Sequence, residues 1–255
     1  MKVVVMGAGV IGSTTAYMLT KAGLDVIVID RRDRPGTMKN LGNMLFDANS
    51  PLKIKPRAVP SMIGWSLKFF ANSRTRVHKA NMIANIRLAR LSLETLRAIR
   101  AEEGLTYDQT VRGTMRMFPP QGRMSEFLQM CREMEEWGVV LEKLDKAQIL
   151  EKEPCVAPVI DRYAGAVLFP DDESGDAHKF TKEIARVAQA CGAKFLMDTE
   201  VLDIKRGSAT KISHIHTTKG EIQADAFVLS LGSYSPNLSS RLGIHLPIIP
   251  VKGYS

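Results

Sequence analysis

Three glycines near the N-terminus and one acid further along have the types and spacing of a dinucleotide-binding site. Gly7, Gly9 and Gly12 form a G-x-G-x-x-G pattern, and Asp30 follows eighteen residues after the last of them. In this pattern the first glycine makes a tight turn, the second lets the backbone approach a pyrophosphate, and the third lets a helix pack on a strand. The acid can accept hydrogen bonds from adenosine ribose hydroxyls, which argues against a 2′-phosphate.

The surrounding residues predict the elements that must position these groups. Residues 3–5 are an uninterrupted β-branched run, typical of a strand buried on both faces of a parallel sheet. A helix is predicted after Gly9, with the amides of residues 9–14 directed at the phosphates. Residues 26–29 form the next strand, which Asp30 closes. Because strand, helix and acid agree, the pattern favours a dinucleotide-binding βαβ unit over a plain strand-turn-helix.

Two later segments indicate which dinucleotide is bound. Residues 193–203 predict one strand followed at once by another, and residues 211–236 predict two alternating strands and a buried return strand over 226–231. This order resembles the second half of the FAD-binding domain in glutathione-reductase-like flavoproteins. The resemblance implies that a backbone amide and carbonyl near Val201 hold the adenine. It also implies that the turn of Gly232 and Ser233 lies beside the pyrophosphate.

Four segments narrow the resemblance to one branch of these flavoproteins. They are VVVMGAGVIGSTTAYML with VIDR, RGTMRMFP, LFPDDESGDAHKFT, and VLSLGSYSPNLSSRLGIHLPIIPVKGYS. Together they resemble the D-amino-acid dehydrogenase branch of the FAD-dependent D-amino-acid oxidase superfamily. The resemblance implies oxidative deamination of D-amino acids to 2-oxo acids and ammonia, with hydride transfer from Cα to flavin N5. It also implies that electrons pass to a membrane quinone or a similar acceptor.

The motif and the resemblance together predict the residues that contact FAD. They are Gly7, Ala8, Gly9, Val10, Ile11, Gly12, Asp30, Arg31, Asn40, Gly42, Val201, Gly232 and Ser233. Asn40 and Gly42 are the matching positions of a loop that the family writes T-S-x-A-N-x-G, and the loop is shortened in this sequence. No catalytic side chain is assigned, because the flavin carries the hydride transfer and the protein orients the substrate.

The predicted fold class is α/β, with a discontinuous FAD-binding domain of the Rossmann type and an inserted α+β substrate domain. The FAD-binding domain has a parallel sheet and a small antiparallel meander, and it takes residues 1–104 and 174–246. Residues 105–173 and 247–255 form part of the substrate domain. Family members are longer, so the resemblance implies a C-terminally truncated chain that lacks the arginine and tyrosine holding the substrate carboxylate.

Two other functions stay open. One is a related oxidase that acts on glycine, sarcosine or a hydroxyproline isomer. The other is an inactive or split product, which binds FAD weakly or folds only with a second chain that supplies the missing half. Oxygen consumption compared with dye reduction separates the first alternative from a dehydrogenase.

Charge and cysteine content predict a soluble cytoplasmic protein. Thirty-five Lys and Arg against 27 Asp and Glu give a net charge of +8, concentrated between residues 53 and 100. A solvated basic face is favoured over one that docks on anionic lipid at the cytoplasmic face of the plasma membrane, where Trp65, Phe69 and Phe70 would assist. No nucleic-acid-binding module is recognisable, so nucleic acid is not an expected partner. The three cysteines are odd in number and widely spaced, which fits a reducing compartment.

Two clusters of chemically active side chains receive structural interpretations. His214 and His216 face the same side of a predicted strand, but no Cys, Asp or Glu is identified at ligand spacing, so we predict surface imidazoles and no metal site. Four acids, Asp171, Asp172, Glu173 and Asp176, precede a predicted helix. They are interpreted as N-terminal capping and helix-dipole partners.

Overall fold

The structure is a computed structural model that describes residues 1–35, 63–64, 67, 69, 71–208 and 211–248. The chain divides into two compact units. The first unit comprises Met1–Phe70, Leu105–Tyr107 and Ala177–Ser255. The second unit comprises Ala71–Gly104 and Asp108–Asp176.

The described strands and helices follow the predicted order closely. The strands are β1 (Lys2–Met6), β2 (Asp25–Ile29), β3 (Thr114–Phe118), β4 (Glu142–Leu144), β5 (Gly165–Phe169), β6 (Lys194–Leu196), β7 (Val201–Arg206), β8 (Ile212–Thr217), β9 (Gly220–Gln223) and β10 (Ala226–Leu229). The α-helices are α1 (Val10–Lys21), α2 (Thr75–Glu103), α3 (Met124–Glu135), α4 (Lys146–Lys152), α5 (Ala177–Ala190) and α6 (Ser235–Ser239). Short 3₁₀ helices cover Pro154–Arg162, Gly232–Tyr234 and Ser240–Leu242.

A parallel sheet forms the centre of the first unit. Its strand order is β10-β1-β2-β6, and every neighbouring pair runs in parallel. Val4, Val5, Val26 and Val28 have no solvent exposure, as expected for strands covered on both faces. Helices α1 and α5 pack against each other. The predicted βαβ unit is therefore confirmed, and the carboxyl ends of β1, β2 and β10 share one edge.

An antiparallel meander completes the first unit. Its strand order is β7-β8-β9. Ile204 of β7 and Ile215 of β8 join a buried cluster with Val4, Met6 and Ile29 of the parallel sheet. The meander therefore packs on the parallel sheet through one apolar face. The side chains that alternate with these residues lie on the opposite face of the meander. The predicted α/β class with a parallel sheet and a small meander is confirmed.

The second unit contains an antiparallel sheet and the long helix α2. The sheet has the order β3-β5-β4. Helix α2 begins five residues before the predicted start at residue 80 and ends as predicted at Gly104, whose φ of +62° suits a C-terminal glycine. None of the described helices is both long and apolar enough to cross a membrane.

Strand β4 and helix α4 are absent from the sequence-based prediction. Asp145 and Gln148 form a capping box at the start of α4: each side chain accepts a hydrogen bond from the other residue's backbone N–H, at 2.9 Å. This D-x-x-Q pattern before an apolar residue is the signal that could have identified the helix. Strand β4 has three residues, two of them charged, and carries no comparable signal.

The division into units differs from the predicted domains over residues 71–104. The prediction places this stretch in the FAD-binding domain, whereas the compact units group Ala71–Gly104 with Asp108–Asp176. Contacts from α2 explain the grouping, since the Arg87 guanidinium lies 4.9 Å from the Trp137 ring centroid and Arg90 donates to the Trp137 carbonyl. The predicted domain boundaries themselves stay a prediction.

Glu173 joins the acidic segment of the second unit to α2. Its side chain is 5% exposed, and its carboxylate accepts hydrogen bonds from the guanidinium groups of Arg97 and Arg100. These bonds, the one from Arg100 foremost, outweigh desolvation and lower the pKa of Glu173 below its usual value. For Glu173 the capping interpretation is therefore wrong, because this acid is the ion-pair partner of two α2 arginines.

We expect Glu173→Gln to lower the free energy of unfolding by about 2 kcal/mol at neutral pH, because a neutral amide removes the charge that Glu173 offers to the partly buried Arg100. The solvent exposure of Arg97 keeps the value at the lower end for a buried pair. Since the folded pKa of Glu173 is depressed, its contribution is fully present above the unfolded pKa of about 4.3 and is lost as pH falls through the folded value.

The difference between wild type and Glu173→Gln should therefore shrink as the pH falls from neutral to about 3. Urea unfolding of both proteins across this range measures the difference. Glu183→Gln is the matched control, because Glu183 pairs with Arg186 at the surface of α5 and should matter little. A difference that stays constant with pH would contradict the assigned ion pair.

Candidate cofactor site

Gly7 lies where three strands of the parallel sheet meet. Its φ is +109°, and its N–H donates to the Ile29 carbonyl at 2.7 Å. A Cβ at this position would lie 2.5 Å from the backbone oxygen of Ser230. The Ser230 hydroxyl in turn donates to the Met6 carbonyl at 2.9 Å. Glycine is therefore required here by both the backbone conformation and the close approach of the segment after β10.

Gly12 is closely packed, whereas the space beside Gly9 is empty. A Cβ at Gly12 would lie 1.8 Å from the Gly7 oxygen, so this glycine permits the close packing of α1 on the turn. A Cβ at Gly9 would meet no atom within 4 Å. Gly9 has an ordinary extended backbone, with φ of −74° and ψ of −175°. The space beside Gly9 is thus open, as an approaching ligand backbone requires.

The N-terminus of α1 offers unpaired amides to that open space. The Ser13 N–H makes the first helical hydrogen bond, to the Gly9 carbonyl at 2.9 Å. The amides of Val10, Ile11 and Gly12 precede it and have no carbonyl one turn back in the helix. The first turn of α1 contains no acidic residue, and the N-cap makes no side-chain hydrogen bond. The positive end of the helix dipole therefore suits a diphosphate.

Asp30 is buried at the end of β2, with 6% exposure. Its Oδ2 accepts from the Ala8 N–H at 2.8 Å and from Arg32 Nη2 at 3.3 Å. Its Oδ1 accepts from the Arg32 N–H at 2.9 Å and from Arg32 Nε at 3.2 Å. Burial raises the pKa of Asp30, but the bonds from Arg32 and Ala8 outweigh it and hold the pKa below its usual value. The side chain is therefore a charged acceptor.

Arg32 donates to the Asp30 oxygens that the hydroxyls of a bound ribose would need as acceptors. A carboxylate has about four acceptor sites, and Asp30 uses all of them within the chain. The Arg32 side chain is 36% exposed and can leave, whereas Ala8 is buried in the glycine turn. Ribose hydroxyls would thus replace the guanidinium and leave the Ala8 bond intact. Sequence reasoning missed Arg32, although a cation two residues after the acid is a visible signal.

Val201 begins β7 close to Asp30. The Thr199 N–H donates to the Asp30 carbonyl at 2.9 Å, and the Asp198 N–H donates to the Arg32 carbonyl at 2.8 Å. Val201 pairs with Thr217 of β8, and the register shifts immediately afterwards. The structure therefore brings Val201, the predicted adenine contact, to the same sheet edge as Asp30, the predicted ribose contact.

Arg31, Gly232 and Ser233 lie at the exits of β2 and β10. The Arg31 guanidinium is 4.2 Å from the centroid of the Tyr234 ring, which connects the two exits. Gly232 has a φ of +56° and is exposed together with Ser233. Sequence reasoning did not anticipate Tyr234 as a partner of Arg31.

Some predicted positions lie outside the described residues. Asn40 and Gly42 are among them, as are Trp65 and Phe70 of the proposed membrane-docking group. Phe69 is described and is 54% exposed.

The fold and this edge of the sheet together define a class of protein. A glycine turn after the first strand, an uncapped helix N-terminus and a charged buried acid after the second strand are the features of a dinucleotide-binding α/β protein. Residues 2–255 match the family described as FAD dependent oxidoreductase. The chain therefore belongs to the FAD-dependent oxidoreductase family, and the residues at this edge fit the family's cofactor.

Relatives of known name cover the whole chain. A D-amino acid dehydrogenase of Rhizorhabdus wittichii is 35% identical, with an alignment over 100% of this chain and 67% of that protein. A D-amino acid dehydrogenase of Rhodopseudomonas palustris is 36% identical, over 100% of this chain and 65% of that protein. The chain thus spans about two thirds of the length of these relatives.

Solved structures show the same fold. A glycine oxidase from Bacillus cereus superposes with a TM-score of 0.65 at 21% identity, over 94% of this chain and 58% of that chain. An L-proline dehydrogenase from P. horikoshii gives a TM-score of 0.68 at 21% identity, over 95% of this chain and 56% of that chain. At these identities the likeness concerns the fold alone.

Proposed function

We propose that this chain carries the FAD-binding part, and some of the substrate domain, of a D-amino-acid dehydrogenase. The observation that carries the proposal is identity of 35% and 36% to two D-amino acid dehydrogenases along the entire chain. The reaction is the oxidative deamination of a D-amino acid. The substrate loses a hydride from Cα and a proton from nitrogen, and water hydrolyses the resulting imino acid to a 2-oxo acid and ammonia.

The residues at the sheet edge have defined tasks in this reaction. Amides of Val10, Ile11 and Gly12 would bind the pyrophosphate of FAD, and Asp30 would accept from its ribose hydroxyls. Gly7, Ala8, Gly9, Arg31, Val201, Gly232 and Ser233 complete the proposed set among the described residues. When bound, FAD supplies the two-electron acceptor for the substrate hydride. The protein contributes binding and orientation, which is why no nucleophile or proton-relay group is assigned.

The test is reduction of a redox dye by the FAD-reconstituted chain with a panel of D- and L-amino acids. We expect turnover with D-amino acids and little oxygen uptake. Turnover with glycine, sarcosine or a hydroxyproline isomer, accompanied by oxygen uptake, would instead establish the oxidase alternative. Weak FAD binding without turnover, rescued by co-expression of an adjacent reading frame, would establish the split-protein alternative.

We further propose that the electrons pass to a quinone at the cytoplasmic face of the plasma membrane, with the protein bound there peripherally. Support comes from the net charge of +8 and from the exposed apolar side chains Ile63, Leu67 and Phe69, which precede Arg74 and Arg76 in sequence. Co-sedimentation with vesicles tests this placement. Binding to vesicles with anionic lipid but not to neutral ones is expected, and equal recovery with both would contradict it.

A further inference from the structure

The exposed face of the meander brings two histidines and a glutamate together. His214 and His216 lie on β8, and the β8–β9 register places Glu221 opposite His216. Nε2 of His214 is 3.3 Å from Nε2 of His216. Glu221 Oε1 is 3.3 Å from Nδ1 of His216, and Oε2 is 3.8 Å from Nε2 of His214. The sequence interpretation missed Glu221, because a turn and a strand pairing bring it to the histidines.

Each of the two rings has an oxygen beside its Nδ1 atom. The Ser213 Oγ lies 2.8 Å from Nδ1 of His214 and 3.3 Å from the Lys205 carbonyl, so it can accept from Nδ1–H of His214 while its own proton goes to the carbonyl. Nδ1 of His216 faces the Glu221 carboxylate, which only accepts. In the tautomer with the proton on Nδ1, each ring keeps an oxygen partner and leaves Nε2 able to bind a metal ion.

The two Nε2 atoms face each other across 3.3 Å. That distance matches the separation of two ligands on a tetrahedral metal. For metal–nitrogen bonds of about 2.0–2.1 Å, the ligand atoms lie about 3.3 Å apart. Nδ1 of His214 also has the Ser213 hydroxyl as a partner at 2.8 Å, which is the outer arrangement that orients a metal-binding imidazole.

We propose that His214, His216 and Glu221 form a binding site for a divalent transition-metal ion of the zinc type. The two Nε2 atoms are the first ligands, a carboxylate oxygen of Glu221 is the third, and water completes the set. One ligand atom from each residue already lies within 4.8 Å of the others. The Glu221 side chain is 55% exposed, so it can rotate the short distance that remains.

Charges on the neighbouring strand do not oppose this assignment. Lys205 and Asp203 of β7 pair directly with His214 and His216. Lys205 Nζ is 2.8 Å from Asp203 Oδ2, and Arg241 Nη1 is 2.9 Å from Asp203 Oδ1, so both cations pair with Asp203, which cancels one of their two charges. Two imidazoles and one carboxylate favour zinc, copper or nickel over magnesium or calcium, which prefer oxygen ligands. The ion would connect β8 to β9.

Calorimetric titration of the chelator-treated full chain with ZnCl₂ tests the site. We expect one ion per chain, weakening of at least tenfold in affinity in His216→Ala and in Glu221→Gln, and no heat with MgCl₂. His78→Ala is the matched control, because His78 is an exposed histidine of α2 in the second unit. With Co²⁺ as the probe, the visible absorption of a tetrahedral ion is expected in wild type and is lost in His214→Ala.

Zinc binding of equal strength in wild type and in the folded double variant His214→Ala/His216→Ala would overturn the site. Absence of measurable zinc uptake by wild type would overturn it equally. Circular dichroism establishes that each variant is folded, and Glu221→Gln retains both histidines if the double variant fails to fold. The titration is run with and without FAD, and equal zinc affinity is expected, since the site shares no ligand with the flavin edge. Its outcome is therefore independent of the proposed dehydrogenase function.

Discussion

Replacing Gly9 by alanine is expected to weaken FAD binding by roughly 100-fold while leaving the fold intact. The native φ of −74° is open to alanine, and the new Cβ meets no protein atom within 4 Å. It does occupy the space through which the pyrophosphate approaches the amides of α1. Two lost hydrogen bonds to a charged group correspond to about 3 kcal/mol, which is about two factors of ten in affinity. Quenching of flavin fluorescence measures the dissociation constant.

Two matched variants separate binding from folding. In Gly12→Ala the Cβ would lie 1.8 Å from the Gly7 oxygen, so α1 must move and the thermal midpoint should fall sharply. In Met18→Ala the removed side chain is 48% exposed on the same helix, so neither property should change. If Gly9→Ala binds FAD as tightly as wild type, the diphosphate does not pass over Gly9 and the assigned site is wrong.

The glycine site was predictable because its signals are local and periodic. A β-branched run predicts a buried strand, and the glycine spacing predicts the turn at Gly7 and the close packing at Gly12. The meander was predictable from similarly local signals, since the β-branched residues Ile215 and Thr217 share one face of β8 and the turn residues Lys219 and Gly220 follow it. Strand β4 was not predictable from the sequence. It is a strand because it pairs with β5, and its polar residues do not by themselves indicate a strand.

Long-range polar pairs account for the rest of what sequence reasoning missed. Glu173 meets Arg97 and Arg100 from more than seventy residues away, so no spacing rule identifies the pair. Glu221 is only five residues from His216, yet its contact depends on the register across the hairpin. Periodicity reports which face a side chain occupies, whereas such contacts require knowledge of which residue stands opposite.

Asp30→Ala is expected to weaken FAD binding by about 100-fold and to destabilise the first unit. The change removes a charged acceptor for the ribose hydroxyls, and bonds to charged groups contribute about 1.5–3 kcal/mol each. It also removes the acceptor of the buried Ala8 N–H, which lies 2.8 Å from Oδ2. Flavin titration gives the affinity, and urea unfolding of the FAD-free protein gives the change in stability.

Arg32→Gln should change FAD affinity in the opposite direction. In the described structure Arg32 fills three of the hydrogen bonds that Asp30 accepts, two of them through its guanidinium, so the ribose must displace that group. Without the guanidinium the carboxylate is free to accept from the ribose, and FAD should bind several-fold more tightly, whereas Asp30→Ala binds it more weakly. Arg34→Gln is the matched control, since Arg34 pairs with the exposed Asp33 among the described residues. Weaker binding in Arg32→Gln would mean that the guanidinium contacts the cofactor itself, and the displacement of Arg32 by the ribose would then be wrong.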